Sequence, residues 1–406
     1  MFNLYDTTMT IPRRMATPLA KAAQHYPVIT LTGPRQSGKT TLVKSAFPKA
    51  KYVSLEAPDQ RSFALEDPRG FLRQFPGPVI LDEVQRVPDL FSYIQGIVDE
   101  SPVPGHFILT GSQNFLLLNN ISQTLAGRCA VLHLLPLALC ELARHGAIVP
   151  ASLGAVHRNR KQAKGELLEI LHTGLYPRVH GPGISADDWL ANYVRTYIER
   201  DVREVLNIGD TEAFYRFLRL CAGRTGQPLN LTSLATDCGI SHTTARRWLA
   251  LLEASFIVCQ LRPHHRNYSK RLIKSPKLYF YDTGLLCYLL RIRSPADLAG
   301  HASRGAIFES FVIAELIKSF FNRAVEADLY FWRDSTGHEV DILVDTGELP
   351  LPIEIKSGET IAADFMGGLN FWRNLAGSPT APAALVYGGD GSYMRSGVAV
   401  HSWRDL

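Results

Sequence analysis

The run Val28-Ile29-Thr30-Leu31-Thr32, followed by Gly33-Pro34-Arg35-Gln36-Ser37-Gly38-Lys39-Thr40, constrains this chain more than any other stretch. A β-branched apolar segment leads into G-x-x-x-x-G-K-T, and Thr41 to Phe47 continues with helical periodicity. Strand, glycine-rich loop and helix in that order are what a phosphate-binding loop requires. Gly33 and Gly38 let backbone N–H groups turn inward around a phosphate, where the positive end of the helix dipole also points. Lys39 is placed to reach phosphate oxygens, and the Thr40 hydroxyl to ligate Mg²⁺. A bare glycine-rich turn would explain the glycines but not both flanks. The expected cradle therefore runs from Gly33 to Thr41.

Further strand-like runs recur at 51–55, 78–81, 106–110 and 130–134, most of them separated by helical patterns. That alternation predicts an α/β fold with a parallel sheet and ligands at the carboxyl ends of its strands. Pro78-Val79-Ile80-Leu81-Asp82-Glu83 is an apolar strand ending in two acids. Asp82 can hold the Mg²⁺ water shell beside Thr40, and Glu83 can polarise a water that attacks the γ-phosphate of ATP. Acids also end strands simply because the chain re-enters solvent, but here a phosphate loop lies upstream. The strand His106–Thr110 runs on into Gly111-Ser112, and Ser112 is the candidate sensor between water and γ-phosphate. Arg128 is either an arginine finger, given in cis or to a neighbouring subunit, or an ordinary surface arginine at a strand start.

Taken together, Gly33–Thr40, Val79–Glu83, Phe107–Ser112 and Leu125–Pro136 resemble a family of prokaryotic AAA+ superfamily ATPases. The similarity continues through the rest of the chain, including Gly174–Arg178 and Trp189–Asp201, into a C-terminal region of poorly defined role. The resemblance implies ATP and Mg²⁺ as ligands and a sensor strand lying between the two Walker strands. It also implies an ATPase able to work as a homo-oligomer.

The chain has 406 residues, 46% hydrophobic and 20% charged, enough for several folded domains. Its net charge is only +5, so a nucleic-acid partner has to show itself by local clustering. Cys129, Cys140, Cys221, Cys238, Cys259 and Cys287 have no C-x-x-C spacing and fit buried thiols in a reducing compartment. The first residues lack the apolar core of a signal peptide. The most apolar stretch, 129–149, is interrupted by His133, Pro136, Glu141 and Arg144, so no bilayer span and a cytoplasmic location are expected. The expected domains are an ATPase at 1–145, a helical connector at 146–225, a winged helix-turn-helix at 226–290 and a nuclease-like α/β domain at 300–406.

The winged-helix expectation rests on 231–249, which read as a short helix, a glycine turn, a serine cap and a second helix with Ala245, Trp248, Leu249 and Leu252 inward. Two β-rich segments at 256–262 and 277–282 would supply the wing. Residues 241–280 hold Arg246, Arg247, Arg262, Arg266, Lys270, Arg271, Lys274 and Lys277 against one acid, Glu253. Such a basic concentration is the footprint of DNA or RNA phosphate contacts, most directly through Arg246, Arg247, Arg266, Lys270 and Arg271. A protein-docking module with a solvated charged face is the alternative.

In the last hundred residues, Asp341 in one strand and Glu354-x-Lys356 in the next resemble the PD-(D/E)xK nuclease signature. The resemblance implies that Asp341 and Glu354 bind Mg²⁺, with Glu309 from a preceding helix completing the acids and Lys356 orienting the water. Two functions remain in view. One is an ATP-hydrolysing protein acting on or regulated by nucleic acid, with metal-dependent nuclease activity. The other is a nucleotide-dependent switch that binds protein partners and carries a silent nuclease-like domain.

Overall fold

The apolar runs of the first third become five strands: β1 Val28–Thr32, β2 Lys51–Ser54, β3 Val79–Asp82, β4 Phe107–Gly111 and β5 Cys129–His133. Strands β1, β3 and β4 are buried along their whole length, as continuous apolar runs in a parallel sheet should be. The sheet order is β2-β3-β4-β1-β5 and every pairing is parallel. Strand β4 thus lies between the strand of the phosphate loop and the strand ending in Asp82, as the resemblance implied. Helices cover both faces, giving one core around Phe71, Leu81, Phe91 and Leu109 and another around Leu19, Ile29, Val43 and Ile108. The computed structural model describes residues 11–112, 121, 123–156, 163–197, 210–264 and 274–406. Among these, no helix is long and apolar enough to cross a membrane, and all six cysteines are free thiols.

The remainder packs on a separate, larger core. Helix Leu231–Cys238 ends at Gly239 in the left-handed conformation, and the Ser241 side chain caps helix His242–Ala254 by accepting from the Thr244 N–H. The second helix buries Ala245, Trp248, Leu249 and Leu252, with the Trp248 ring edge-on to Phe214 and Phe217 of helix Thr211–Gly223. A hairpin of β6 Val258–Pro263 and β7 Lys277–Phe280 follows.

The hairpin does not stand apart as the sequence suggests. Arg262 and Pro263 of β6 pair in parallel with Tyr330 and Phe331 of β8 Leu329–Arg333. The next strands are β9 Glu339–Val344, β10 Leu351–Lys356, β11 Ala384–Tyr387, β12 Tyr393–Arg395 and β13 Val398–Ser402. One sheet results, in the order β12-β13-β11-β10-β9-β8-β6-β7. Helix Arg304–Phe321 packs against β7 and β10 and is buried along most of its length.

The path from the first sheet to the second core passes through residues 134–139, where each backbone group meets a different part of the chain. The Leu134 carbonyl lies against Gly33. The Leu135 carbonyl accepts from Arg13 at 2.7 Å, and the Leu137 N–H donates to the Leu175 carbonyl at 2.8 Å. Lys318 donates to the Leu137 carbonyl at 2.9 Å, and the Leu139 N–H donates to Glu315 at 2.7 Å.

Candidate functional site

Gly33 and Gly38 adopt φ of 151° and 92°, conformations that side-chain-bearing residues resist. At Gly33 space is limiting as well, because a Cβ there would sit 2.1 Å from the Leu134 carbonyl oxygen. Gly38 is the N-cap of helix Lys39–Ala46, so the helix begins as the loop closes. The Lys39 ammonium is buried and donates to the carbonyls of Gly33 and Pro34 at 2.9 and 2.8 Å. Arg35 and Gln36 form the outer turn, Gln36 with φ of 63°, Ser37 is fully buried and Thr41 faces outward.

The decisive contact joins the two Walker motifs. The Thr40 hydroxyl donates to Asp82 Oδ2 at 3.1 Å, the Tyr52 hydroxyl donates to the same oxygen at 2.7 Å, and Thr110 donates to Oδ1. Asp82 therefore stands as an acceptor ringed by hydroxyls from the loop, β2 and β4. Burial, and then its bond to Asp82, pushes the Tyr52 phenol up to about 12, so it stays a donor at neutral pH. The oxygen set of Thr40 and Asp82 fits a small hard cation such as Mg²⁺. Glu83 follows in the left-handed conformation, φ 56°; the Ser112 hydroxyl donates to its Oε2 at 3.2 Å, and the Gln85 amide donates to the same oxygen.

Arg128 is placed elsewhere. It precedes β5 at the amino end of the sheet, where its carbonyl accepts from the Val28 N–H. The phosphate loop follows the other end of β1, roughly 13 Å away along the strand. The guanidinium is held by both carboxylate oxygens of Asp99 in helix Leu90–Glu100. A cis finger is thus corrected to a surface ion pair, because the strand direction carries Arg128 away from the phosphates.

Arg13 adds a contact that no motif announces. Its guanidinium donates to the Ser37 carbonyl at 2.6 Å, to the Leu135 carbonyl at 2.7 Å and to Glu141 at 3.0 Å. It ties the phosphate loop to the 134–139 segment. Nothing local in the sequence distinguishes it from Arg14, since its role depends on three partners remote in sequence.

In the C-terminal sheet, Asp341, Glu354, Lys356 and Glu309 do come into one neighbourhood. The Ile355 N–H donates to Asp341 at 2.8 Å, Lys356 donates to Glu354 at 2.6 Å, and the Tyr279 hydroxyl donates to Glu309 at 3.1 Å. Burial, with the charge of Asp341 next, pushes Glu309 up to about 7 and Glu354 up to about 8. Among the described residues, however, no group of three or more His, Cys, Asp or Glu is arranged to hold a metal ion. The shared metal expected at Glu309, Asp341 and Glu354 therefore has no preformed cage, since each carboxylate already bonds a different donor. Lys277, counted by sequence among the surface cations, is instead 3% exposed and forms an ion pair with Glu339 beside these acids. Arg246, Arg247, Arg262 and Lys274 are exposed; Arg266, Lys270 and Arg271 lie outside the described residues.

Three family models match the chain: an AAA domain over residues 25–143, a domain of unknown function (DUF8612) over 164–296, and a domain of unknown function (DUF4143) over 304–405. Uncharacterized protein Rv2008c of Mycobacterium tuberculosis is 32% identical over 357 residues, which cover 87% of this chain and 75% of that protein. Uncharacterized protein Mb2031c of Mycobacterium bovis matches to the same extent. The chain belongs to their family. The family's first domain is here an AAA-type P-loop ATPase domain, with its Walker residues in contact. Among solved structures, the Walker-type ATPase PABY2304 of Pyrococcus abyssi matches with a TM-score of 0.44 and 16% identity, covering 69% of this chain and 96% of that one. The RuvB branch migration motor of Thermotoga maritima matches with a TM-score of 0.26 and 20% identity, covering 60% and 87%.

Proposed function

We propose that this protein is a Mg²⁺-dependent ATP hydrolase whose turnover is tied to nucleic-acid contact at the helix-turn-helix. The observation that carries the ATPase reading is the Thr40–Asp82 hydrogen bond at 3.1 Å, which brings loop hydroxyl and strand-end carboxylate onto one point. On nucleotide binding, Lys39 leaves the Gly33 and Pro34 carbonyls for β- and γ-phosphate oxygens, which offer it a full negative charge instead of carbonyl dipoles. Thr40 and Asp82 would hold Mg²⁺, which neutralises charge on those oxygens. Glu83 accepts the proton side of the attacking water, and Ser112, already bonded to Glu83, keeps that carboxylate aimed.

The exposed Arg246 and Arg247 on helix His242–Ala254 support phosphate contact by a helix in the helix-turn-helix position, with the β6–β7 hairpin as its wing. In this reading the C-terminal domain has a nuclease-like arrangement but is catalytically silent, a view favoured by the separately bonded carboxylates. The test is Mg·ATP binding and turnover with and without DNA and RNA. Lys39→Ala should abolish nucleotide binding, whereas Glu83→Gln should bind ATP and stop turnover. Binding by Lys39→Ala equal to wild type would sink the ATPase reading. Nucleic-acid affinity that does not fall with rising salt would remove the phosphate contacts.

A further inference from the structure

Glu83, the residue set to polarise the attacking water, is held in a way that the Walker motif does not explain. It takes φ 56° and ψ 43°, a left-handed backbone that a side-chain-bearing residue adopts only at a cost. That turn follows the end of β3 and opens the short 3-10 helix Val84–Arg86, which brings Gln85 back to the Glu83 carboxylate. We propose that Gln85 is a positioning residue for ATP hydrolysis: it fixes Glu83 by one carboxylate oxygen and so leaves the other to the attacking water. The inference rests on the ATPase reading and deepens it.

Two donors converge on Glu83 Oε2, the Gln85 amide and, at 3.2 Å, the Ser112 hydroxyl. They come from different elements, the turn after β3 and the end of β4. Among the described residues, no hydrogen bond falls on Oε1. The last torsion of a glutamate is broad when nothing holds it. Two donors on one oxygen narrow it and give Oε1 a fixed direction.

Gln85 is 6% exposed, and its own side-chain carbonyl is buried with no partner among the described residues. A buried acceptor left unpaired is destabilising. Turning the amide over would set its oxygen against the Glu83 carboxylate, so the side chain is oriented for Glu83 rather than for its own complete pairing. Packing does not account for that choice, since methionine fills a similar space without an orphaned oxygen. During turnover the water oxygen bonds to the γ-phosphorus and the bond to the β–γ bridging oxygen breaks, its electron pair leaving with ADP. One water proton passes to Glu83, the other stays with the phosphate product, and Gln85 neither gains nor loses a proton.

The test compares wild type with Gln85→Met by steady-state ATP turnover, calorimetric ATP binding and thermal melts. Gln85→Met should bind ATP with wild-type affinity and melt no lower than wild type, because the orphaned carbonyl goes with the amide. Its kcat should fall about tenfold to hundredfold, the loss expected when a reacting group is held slightly out of place. Affinity for Mg·ADP with aluminium fluoride, a mimic of the transition state, should fall by a similar factor, while affinity for Mg·ADP with beryllium fluoride, a mimic of bound ATP, should not change. Wild-type kcat in Gln85→Met overturns the proposal. So does a joint loss of turnover, ATP binding and melting temperature, which would make Gln85 structural. If Gln85→Met does not fold, Gln85→Ala is read by the kcat and fluoride criteria, and failure of both to fold overturns the proposal as well. A wild type without Mg·ATP turnover defeats the ATPase reading itself, and this inference with it, so the wild type tells the two failures apart.

Discussion

At the scale of single residues, the phosphate loop works because its backbone is held from behind. Gly33 touches the Leu134 carbonyl, and Arg13 reaches the Ser37 carbonyl. Gly33→Ala combines a forbidden contact with φ of 151° and should destabilise the first domain by about 3 kcal/mol, read by urea unfolding. Arg13→Ala leaves every phosphate ligand in place yet should weaken ATP binding about tenfold, the order expected from losing charge-assisted hydrogen bonds. Arg13→Lys should restore little, since a single ammonium cannot serve carbonyls and a carboxylate in a planar fork. Calorimetric titration with ATP distinguishes the three proteins. Unchanged affinity in Arg13→Ala would mean that the loop holds its shape unaided.

Among elements, β5 carries a pH response. His133 packs between the rings of Phe256 and Phe321, and burial drives its pKa down to about 4. The fold keeps His133 neutral, whereas the unfolded chain protonates near 6.5. Its contribution is therefore complete above about pH 6.5 and is lost as pH falls toward 4, on the order of 3 kcal/mol. Urea midpoints across that range should decline for wild type and decline less for His133→Gln. Trp248→Ala, which empties the space between Phe214 and Phe217, should cost about 3–5 kcal/mol. The elements that were legible in sequence carry local signals: the glycines around Lys39, the acid-ended β3, and the Gly239 turn with its Ser241 cap. What was not legible depends on register between remote strands. Thr110 meets Asp82 because β3 and β4 align those two residues, and Tyr52 reaches the same carboxylate from β2 on the other side. Lys277 looked like surface charge because nothing near it in sequence announces that β6 pairs with β8.

Across the whole molecule, the phosphate loop and the C-terminal acids are joined by one short route. Arg13 spans from Ser37 to Leu135, and the backbone from 137 to 139 is gripped by Glu315 and Lys318, which bond each other at 2.8 Å. Both belong to the helix that also carries Glu309. Glu315 and Lys318 are 3% and 2% exposed, so removing one leaves a buried charge without its partner. Glu315→Ala should cost about 3–5 kcal/mol, while Glu315→Leu with Lys318→Met should recover part of that loss. Thermal melts of the three proteins check the order. The arrangement also limits how the gene can be cut. A fragment ending near residue 145 would expose the Leu137 carbonyl and the Leu139 N–H that the helix now satisfies, and the complementary fragment would leave its Glu–Lys pair uncovered. Each piece should aggregate when expressed alone, and the two should recover solubility when produced together in one cell.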